Sequence, residues 1–170
     1  MRDSNLVLFF STDKENGWLS NWYLSDFVVD GITFHSGEQW FMYAKADLFK
    51  DEVIKQEILD CTLNTGGDNK KIKALGRKVR GFDDVFWERY REDLIFKGLY
   101  AKFSQDEDLR QRLLATGDKI LVEASPYDKI WGIGLSRWDS AAQDMKQWKG
   151  LNLLGKVLMR VRSKLREEVS

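Results

Sequence analysis

The sequence predicts an α+β fold, a single and mainly helical domain with a small antiparallel sheet. Two short apolar segments near the start, 6–10 and 27–34, have the composition of strands. Most later segments repeat their apolar residues at helical spacing instead. The chain of 170 residues is 43% hydrophobic and 32% charged, which is ordinary for one globular domain.

The two strand segments come first along the chain. Leu6–Phe10 is continuously apolar and ends at the turn-like Ser11-Thr12-Asp13, as a buried strand does. Phe27–Phe34 is typical of a hairpin, because Asp30-Gly31 carries the signal of a type I′ turn. We expect these strands to form one small antiparallel sheet.

Helical segments follow the hairpin. Ser36 is a plausible N-cap for the first, and Asp83 or Asp84 for the longest. The apolar face predicted for the long helix consists of Trp87, Tyr90, Leu94, Ile95 and Phe103. The clearest stripe ends the chain and comprises Leu151, Leu154, Val157, Leu158, Val161 and Leu165. The remaining segments are helices over 53–59, 70–79 and 109–114 and a short strand over 120–124.

Composition excludes several classes of protein. The 27 basic and 27 acidic side chains cancel, which argues against generic attraction to phosphate but allows a local basic pocket. One cysteine leaves no intramolecular disulfide, and with one histidine a zinc site would have to take most of its ligands from carboxylates, so we expect no metal. We also expect no cofactor. We find neither a signal peptide nor an apolar span of membrane length. We expect a cytoplasmic protein without membrane contacts, with the nucleus as the alternative location.

Aromatic residues are numerous, with seven Trp, ten Phe and five Tyr beside a single proline. Most belong to a core of large flat side chains, and we expect two or three to stack on a planar ligand. Trp18, Asn21 and Trp22 lie together in an aromatic loop that is one candidate for this role.

A charged pair lies on the first helix. Glu38 and Lys45 are seven residues apart, two helical turns, so they share one face of a helix rich in aromatics. The functional interpretation is a charged pair beside apolar surface. The alternative is a solvated helix face, because exposed pairs are common and weak.

A second group follows the predicted strand over 120–124. Glu123 ends the strand, a proline turn follows, and Asp128 precedes Trp131 and Gly132. Glycine beside tryptophan lets the backbone approach a planar ligand, although a structural turn is the alternative. Asn152, at the start of the last helix, either caps that helix or reaches a ligand with its amide.

Two further residues have the residue types of catalytic groups. His35 ends a strand and has no nucleophile in an evident partner motif, and Cys61 follows an apolar segment. We interpret His35 as structural and Cys61 as a buried thiol.

In this order, the motifs resemble those of the NADAR or YbiA-like family. The matching segments are Trp18–Asn21, Ser36–Ala46, Leu75–Val79, Ala101–Phe103, Leu114–Gly117, Val122–Gly134 and Trp148–Gly155. They span about residues 9–165, nearly the whole chain. No single segment is decisive, but the ordered set is highly specific.

The resemblance implies N-glycosidase activity in a mainly helical α+β domain without a metal. Two substrate classes go with the family: ADP-ribose attached to guanine in nucleic acid, and phosphoribosylamino-pyrimidine intermediates of riboflavin synthesis. Its pocket residues correspond here to Glu38, Lys45, Asp128 and Trp131, with support from Asn21, Glu123, Gly132 and Asn152. Tyr43 and Ala44 depart from the pattern of many relatives, which affects substrate preference rather than the acid–base set.

Each group has an expected role in cleaving a ribosyl–nitrogen bond, which builds positive charge on the ribose. We expect Glu38 to stabilise the cationic sugar, Asp128 to activate water, and Lys45 to bind phosphate or assist the leaving group. Trp131 would stack on the base or on adenine.

Among the possible functions, we prefer removal of ADP-ribose from guanine. The Glu-Gln-aromatic and Trp-Gly-Ile-Gly motifs match that form of the family, and no riboflavin-pathway domain is fused to the chain. The alternatives are a riboflavin-intermediate N-glycosidase, a non-catalytic module that binds ADP-ribose or NAD, and a structural or partner-binding domain. We expect the protein to act as a monomer on a nucleotide-like small molecule or on ADP-ribosylated nucleic acid.

Overall fold

The computed structural model describes residues 5–169, and their contacts group into two compact units. One unit is Asn21–Asp106, and the described part of the other comprises residues 5–20 and 107–169. The strands are β1 (Leu6–Phe9), β2 (Leu24–Val29), β3 (Ile32–Ser36) and β4 (Ile120–Glu123). The helices are α1 (Gly37–Leu48), α2 (Glu52–Leu59), α3 (Asn69–Gly76), α4 (Asp84–Gln105), α5 (Glu107–Ala115) and α6 (Leu153–Val169).

The predicted hairpin is confirmed in the 21–106 unit. Strands β2 and β3 pair antiparallel, and both turn residues have positive φ, 51° at Asp30 and 81° at Gly31, as a type I′ turn requires. Phe27 and Phe34 face each other with ring centroids 6.1 Å apart. Their rings form a core with Trp40 of α1, which meets Phe34 edge-on at 5.3 Å.

Helix α1 begins where the sequence predicts, and its first turn is tied to two neighbouring elements. The Ser36 hydroxyl accepts a hydrogen bond from the Gln39 amide at 3.0 Å, which is the expected N-cap. The Gln39 side chain accepts from the His35 amide and donates to the carbonyl of Ile58 in α2. The start of α1 is therefore held by β3 and α2 together.

Helix α4 contacts α1 at a glycine. The Trp40 indole donates to the Leu94 carbonyl at 2.7 Å and lies directly over Gly98, where a β-carbon would overlap the indole ring. We expect Gly98→Ala to lower the free energy of unfolding by about 2 kcal/mol, because overpacking outweighs the roughly 1 kcal/mol that alanine adds to an exposed helix. Urea unfolding would measure it, with Glu92→Ala on the exposed side of α4 as control. An unchanged or higher stability of Gly98→Ala would contradict this packing.

The other unit holds a second two-stranded sheet, which corrects the expectation that β1 joins the hairpin. Strand β1 pairs in parallel with β4, from Leu6 opposite Ile120 to Phe9 opposite Glu123. The partner strand lies far along the chain, and no local turn signal marks such a pairing. The continuously apolar sequence of β1 suits a strand in a parallel pair.

Helix α6 covers β4, and its stripe is buried as predicted from Leu154 onward. Gly155 lies against the Leu121 carbonyl so closely that a β-carbon would overlap it. Leu151 is the exception, since it precedes the helix and is 54% exposed.

Two more expectations need correction in the 21–106 unit. Tyr90 does not belong to the buried face of α4, because it is 42% exposed and packs on Phe86 at the surface. Helix α3 ends at Gly76 instead of reaching Val79. Of the described helices, none is long and apolar enough to cross a membrane.

Candidate active site

Glu38 occupies the first turn of α1 and is 9% exposed. Its backbone amide donates to the Asn21 carbonyl at 2.9 Å, which joins the helix start to the loop before β2. The positive end of the helix dipole interacts favourably with a carboxylate at this position. The fold thus holds a nearly buried acid at the beginning of a helix.

Asn21 packs against the same helix start. A β-carbon at Gly37 would lie 2.8 Å from Asn21 Oδ1, so the glycine makes room for this amide. Asn21 Oδ1 is buried and accepts no hydrogen bond from any group among residues 5–169. An unsatisfied buried acceptor is costly, and a ligand hydroxyl is a suitable donor for it.

Asn69 holds this loop in place, and the sequence did not single it out. It is fully buried at the start of α3. Its amide nitrogen donates to the Trp22 carbonyl at 3.0 Å, and its Oδ1 accepts from the Ser36 hydroxyl at 2.6 Å. Asn69 therefore connects the loop that carries Trp22 to the N-cap of α1.

Lys45 lies farther along α1 and is half-buried. Its Nζ donates to the Gly76 carbonyl at 2.8 Å and lies 4.5 Å from the centre of the Phe82 ring. Desolvation by burial lowers the pKa of Lys45, Glu38 opposes this shift by attraction, and Arg77 adds to it. Glu38 is thus near enough to act on Lys45 electrostatically, in a setting of carbonyl and aromatic groups.

A second lysine, Lys102 of α4, had no role assigned from the sequence although it lies in the Ala101–Phe103 motif. Its side chain is 1% exposed, and Nζ lies 4.9 Å from the Phe103 ring and 5.5 Å from the Tyr23 ring. Burial lowers the pKa of Lys102 to about 7, against an opposing attraction from Asp106. The available signal was a lysine directly before Phe103, which the sequence predicts on the apolar face of the helix.

In the other unit, Asp128 shapes the loop that follows β4. Its Oδ1 accepts hydrogen bonds from the amides of Ile130 and Trp131, both at 2.9 Å. This side-chain turn fixes the carboxylate through one oxygen. Asp128 is half-buried, and within residues 5–169 no hydrogen bond to its Oδ2 is found, which leaves that oxygen for water or a ligand.

Asn152 connects β4, the loop and α6. Its side-chain oxygen accepts from the Glu123 backbone amide at 3.0 Å, and its side-chain nitrogen donates to the Leu121 carbonyl at 3.0 Å. The backbone amide of Asn152 donates to the Gly132 carbonyl. Both polar ends of the side chain are engaged with β4, so the amide joins this strand to the start of α6. The Asn152 side chain does not cap α6, since it points to β4.

Removing this amide should destabilise the unit strongly. We expect Asn152→Ala to lower the free energy of unfolding by about 3 kcal/mol, because two buried backbone groups lose their partners and φ at this position is 53°. Asn152→Gly relieves the backbone strain and separates the two contributions. Urea unfolding of both variants is the measurement, and a loss below about 1 kcal/mol in each would contradict the role of the amide.

Gly132 and Trp131 lie between these residues. A β-carbon at Gly132 would approach the Asp128 carbonyl to 2.8 Å and the Glu123 carbonyl to 3.0 Å, so the packing of the loop itself accounts for the glycine. The Trp131 carbonyl accepts from the Leu154 amide at 3.1 Å, and the Glu123 carbonyl accepts from Ile133 at 3.0 Å. The candidate residues from Glu123 to Asn152 are thus linked through the backbone.

Trp18, the remaining candidate, lies in a short 3₁₀ turn over Gly17–Leu19 and is half-buried.

The structure places the candidates in two sets. Asn21, Trp22, Glu38 and Lys45 belong to the 21–106 unit, whereas Trp18, Glu123, Asp128, Trp131, Gly132 and Asn152 belong to the other.

The remaining residues of catalytic type are engaged elsewhere. His35 forms an exposed contact with Asp26 at 2.7 Å. The Cys61 thiol is only partly buried and donates to the Glu57 carbonyl, and burial raises its pKa. Over residues 5–169 no cluster of three or more His, Cys, Asp or Glu side chains is arranged to hold a metal ion.

The NADAR domain model matches residues 8–166. The chain belongs to the NADAR family. It is 40% identical over 170 residues to an N-glycosidase of Acanthamoeba polyphaga mimivirus, covering 95% of this chain and 97% of that protein. It is 32% identical to the N-glycosidase YbiA of Escherichia coli, covering 97% of this chain and 91% of that protein.

A third relative carries a different name. The riboflavin biosynthesis protein of Vibrio vulnificus is 29% identical over 161 residues, and the match covers 95% of this chain but 39% of that protein. The solved structure of Escherichia coli YbiA superposes with a TM-score of 0.78 at 31% identity, covering 99% of this chain and 89% of that chain. This match confirms the predicted mainly helical α+β fold, and the family is one of N-glycosidases.

Proposed function

We propose that this NADAR protein hydrolyses the bond between ADP-ribose and guanine in nucleic acid. The observation that carries the proposal is the pair on α1. Glu38 is 9% exposed at the helix start, and it acts electrostatically on a half-buried Lys45 further along the same helix. An acid and a cation held close to apolar surface provide the charge that cleavage of a ribosyl–nitrogen bond requires.

In the reaction, water adds to the anomeric carbon while the bond between this carbon and the base nitrogen breaks. The electron pair of the broken bond goes to the base. Positive charge that develops on the ribose is stabilised by the Glu38 carboxylate. The Lys45 ammonium donates a proton to the departing base. A carboxylate takes the proton from the attacking water, which is the role expected for Asp128 from the sequence, and exchange with solvent restores both groups. The products are free ADP-ribose and an unmodified guanine.

One observation supports the assignment of the sugar end to Glu38, and a second concerns the surroundings of Lys45. The buried Asn21 Oδ1 beside Glu38 is an acceptor suited to a ribose hydroxyl. Lys45 lies 4.5 Å from the centre of the Phe82 ring and 6.0 Å from that of Trp87, so flat side chains are available near the cation. In this proposal, Trp131 stacks on a base of the substrate.

A second candidate is hydrolysis of phosphoribosylamino-pyrimidine intermediates of riboflavin synthesis. The name of the Vibrio vulnificus relative favours it. The relatives at 40% and 32% identity are named only as N-glycosidases, and those names give no substrate. We prefer the ADP-ribosyl-guanine substrate because of the Glu-Gln-aromatic and Trp-Gly-Ile-Gly motifs of the chain.

The test is to incubate the purified protein with a guanine-ADP-ribosylated oligonucleotide and, separately, with the phosphoribosylamino-pyrimidine, and to follow products by mass spectrometry. Release of ADP-ribose with intact guanine supports the first candidate. Release of ribose 5-phosphate from the second compound alone supports the riboflavin role. If neither is turned over while ADP-ribose still binds, the protein is a non-catalytic binding module.

A further inference from the structure

The 21–106 unit carries a continuous basic segment that the proposed chemistry does not use. Residues 69–80 contain no Asp or Glu but hold six basic residues, Lys70, Lys71, Lys73, Arg77, Lys78 and Arg80. All six are exposed, along α3 and the turn after it. Because the whole chain has a net charge of zero, this segment concentrates positive charge locally.

Exposed aromatic rings come immediately after the basic segment. Phe82, Phe86 and Tyr90 are 43%, 38% and 42% exposed. Phe86 and Tyr90 are one helical turn apart on α4, with ring centroids 4.9 Å apart, and Phe82 packs on Phe49 at 5.3 Å. An open groove of about 480 Å³ lies here, and it is lined by Phe49, Gly81, Asp83, Val85, Phe86 and Arg89.

This aromatic cluster (Phe49, Phe82, Phe86 and Tyr90) begins at a candidate site residue. Lys45 Nζ lies over the Phe82 ring at 4.5 Å, and Arg77 of the basic segment is close enough to lower the pKa of Lys45. Positive charge and stacking surface therefore continue outward from Lys45 within one unit.

We propose that the basic segment and the aromatic cluster bind the single-stranded nucleic acid that flanks the modified guanine. Lysine and arginine attract the phosphates, and exposed rings stack on bases that have no pairing partner. The inference rests on the proposed function and deepens it, since a small pyrimidine substrate has no flanking phosphates to occupy this surface. A duplex would not fit equally well, because its bases are already stacked on each other.

Binding of an unmodified 12-nucleotide single strand, measured by fluorescence polarisation over a range of salt, tests the surface directly. One variant changes Lys70, Lys71 and Lys73 to Gln, and another changes Phe86 and Tyr90 to Leu, which keeps apolar volume without flat rings. The matched control changes Lys119, Lys146 and Lys156 to Gln, three exposed lysines of the other unit. Circular dichroism melts establish that every variant is folded.

We expect the aromatic variant to bind roughly tenfold more weakly or worse. The triple Lys variant should bind more weakly, and its plot of log K against log salt should be less steep by about 2, because each phosphate contact on a single strand contributes about 0.7 to the steepness. The control should bind like the wild type. Equal binding by all proteins, equal binding of duplex and single strand, or an effect of charge without an effect of the rings overturns the proposal.

Turnover separates this inference from the function on which it rests. Both variants should hydrolyse ADP-ribosylated guanosine, which lacks flanking nucleotides, at the wild-type rate, and show a raised KM for the modified oligonucleotide. If the wild type hydrolyses both substrates with the same KM and the variants change neither, the surface inference fails and the proposed function stands. If the wild type hydrolyses neither while strand binding responds as expected, the proposed function fails and the nucleic-acid surface stands.

Discussion

Replacing Glu38 with glutamine is expected to slow turnover of an ADP-ribosylated guanine oligonucleotide by about a hundredfold to ten-thousandfold. Glutamine has the same shape and keeps the backbone contact between the Glu38 amide and the Asn21 carbonyl. It removes the negative charge that would stabilise a cationic ribose. Single-turnover rates followed by mass spectrometry give the effect on the chemical step without a contribution from product release.

The control for this variant is Glu57→Gln, which removes an exposed carboxylate from α2 and should leave the rate unchanged. Asp128→Asn should also lower the rate, because an amide cannot take a proton from water. Near-full turnover in both Glu38→Gln and Asp128→Asn, on a substrate that the wild type hydrolyses, would show that the two carboxylates are assigned wrongly.

The second large effect concerns Lys102 and the pH dependence of stability. Burial lowers the pKa of this lysine from 10.5 in the unfolded chain to about 7 in the folded protein. Between these values the unfolded state binds a proton that the folded state has lost, so the free energy of unfolding rises with pH by up to about 1.4 kcal/mol per pH unit. Below about pH 7 both states are protonated, and this contribution no longer changes with pH.

Urea unfolding of the wild type and of Lys102→Met at several values from about pH 7.5 to 9.5 checks the prediction. The free energy of unfolding of the wild type, minus that of Lys102→Met, should rise by about 2.5 kcal/mol over this interval, whichever protein is the more stable at the lower end. Lys97→Met, at an exposed position on the same helix, controls for loss of a lysine side chain. Parallel curves for wild type and Lys102→Met would mean that Lys102 keeps an ordinary pKa.

Local signals predicted the parts of the fold that local interactions determine. Ser36 caps α1 and Asp30-Gly31 forms the hairpin turn, since a cap and a tight turn depend on residues within a few positions of each other. The pairing of β1 with β4 has no such signal, because the two strands are far apart along the chain, with Leu6 opposite Ile120, and no tight turn joins them. Helical spacing predicts a buried Tyr90 for a related reason: it defines a face of the helix but does not say how much of that face is covered.

The candidate site shows the same division. The spacing of Glu38 and Lys45 placed them on one face of a helix, and the family resemblance made them candidates for the pocket. Asn69 was missed because its importance lies in two hydrogen bonds, to Trp22 and Ser36, across segments distant in sequence. Lys102 was missed because only burial gives a lysine a pKa of about 7, and burial depends on what packs around α4.

By itself, the sequence determined the fold class, the family and the residue types available for chemistry, because periodicity, turn signals and an ordered set of motifs are all written in neighbouring residues. Only the tertiary structure decided which polar groups are buried and which partners they have. In the folded protein the Asn152 side chain forms hydrogen bonds with β4, and the Asn21 side-chain oxygen is buried beside Glu38. Phe82, Phe86 and Tyr90 are exposed after the basic segment. The physical reason is that desolvation and hydrogen bonding depend on neighbours in space, which the order of residues along the chain does not specify.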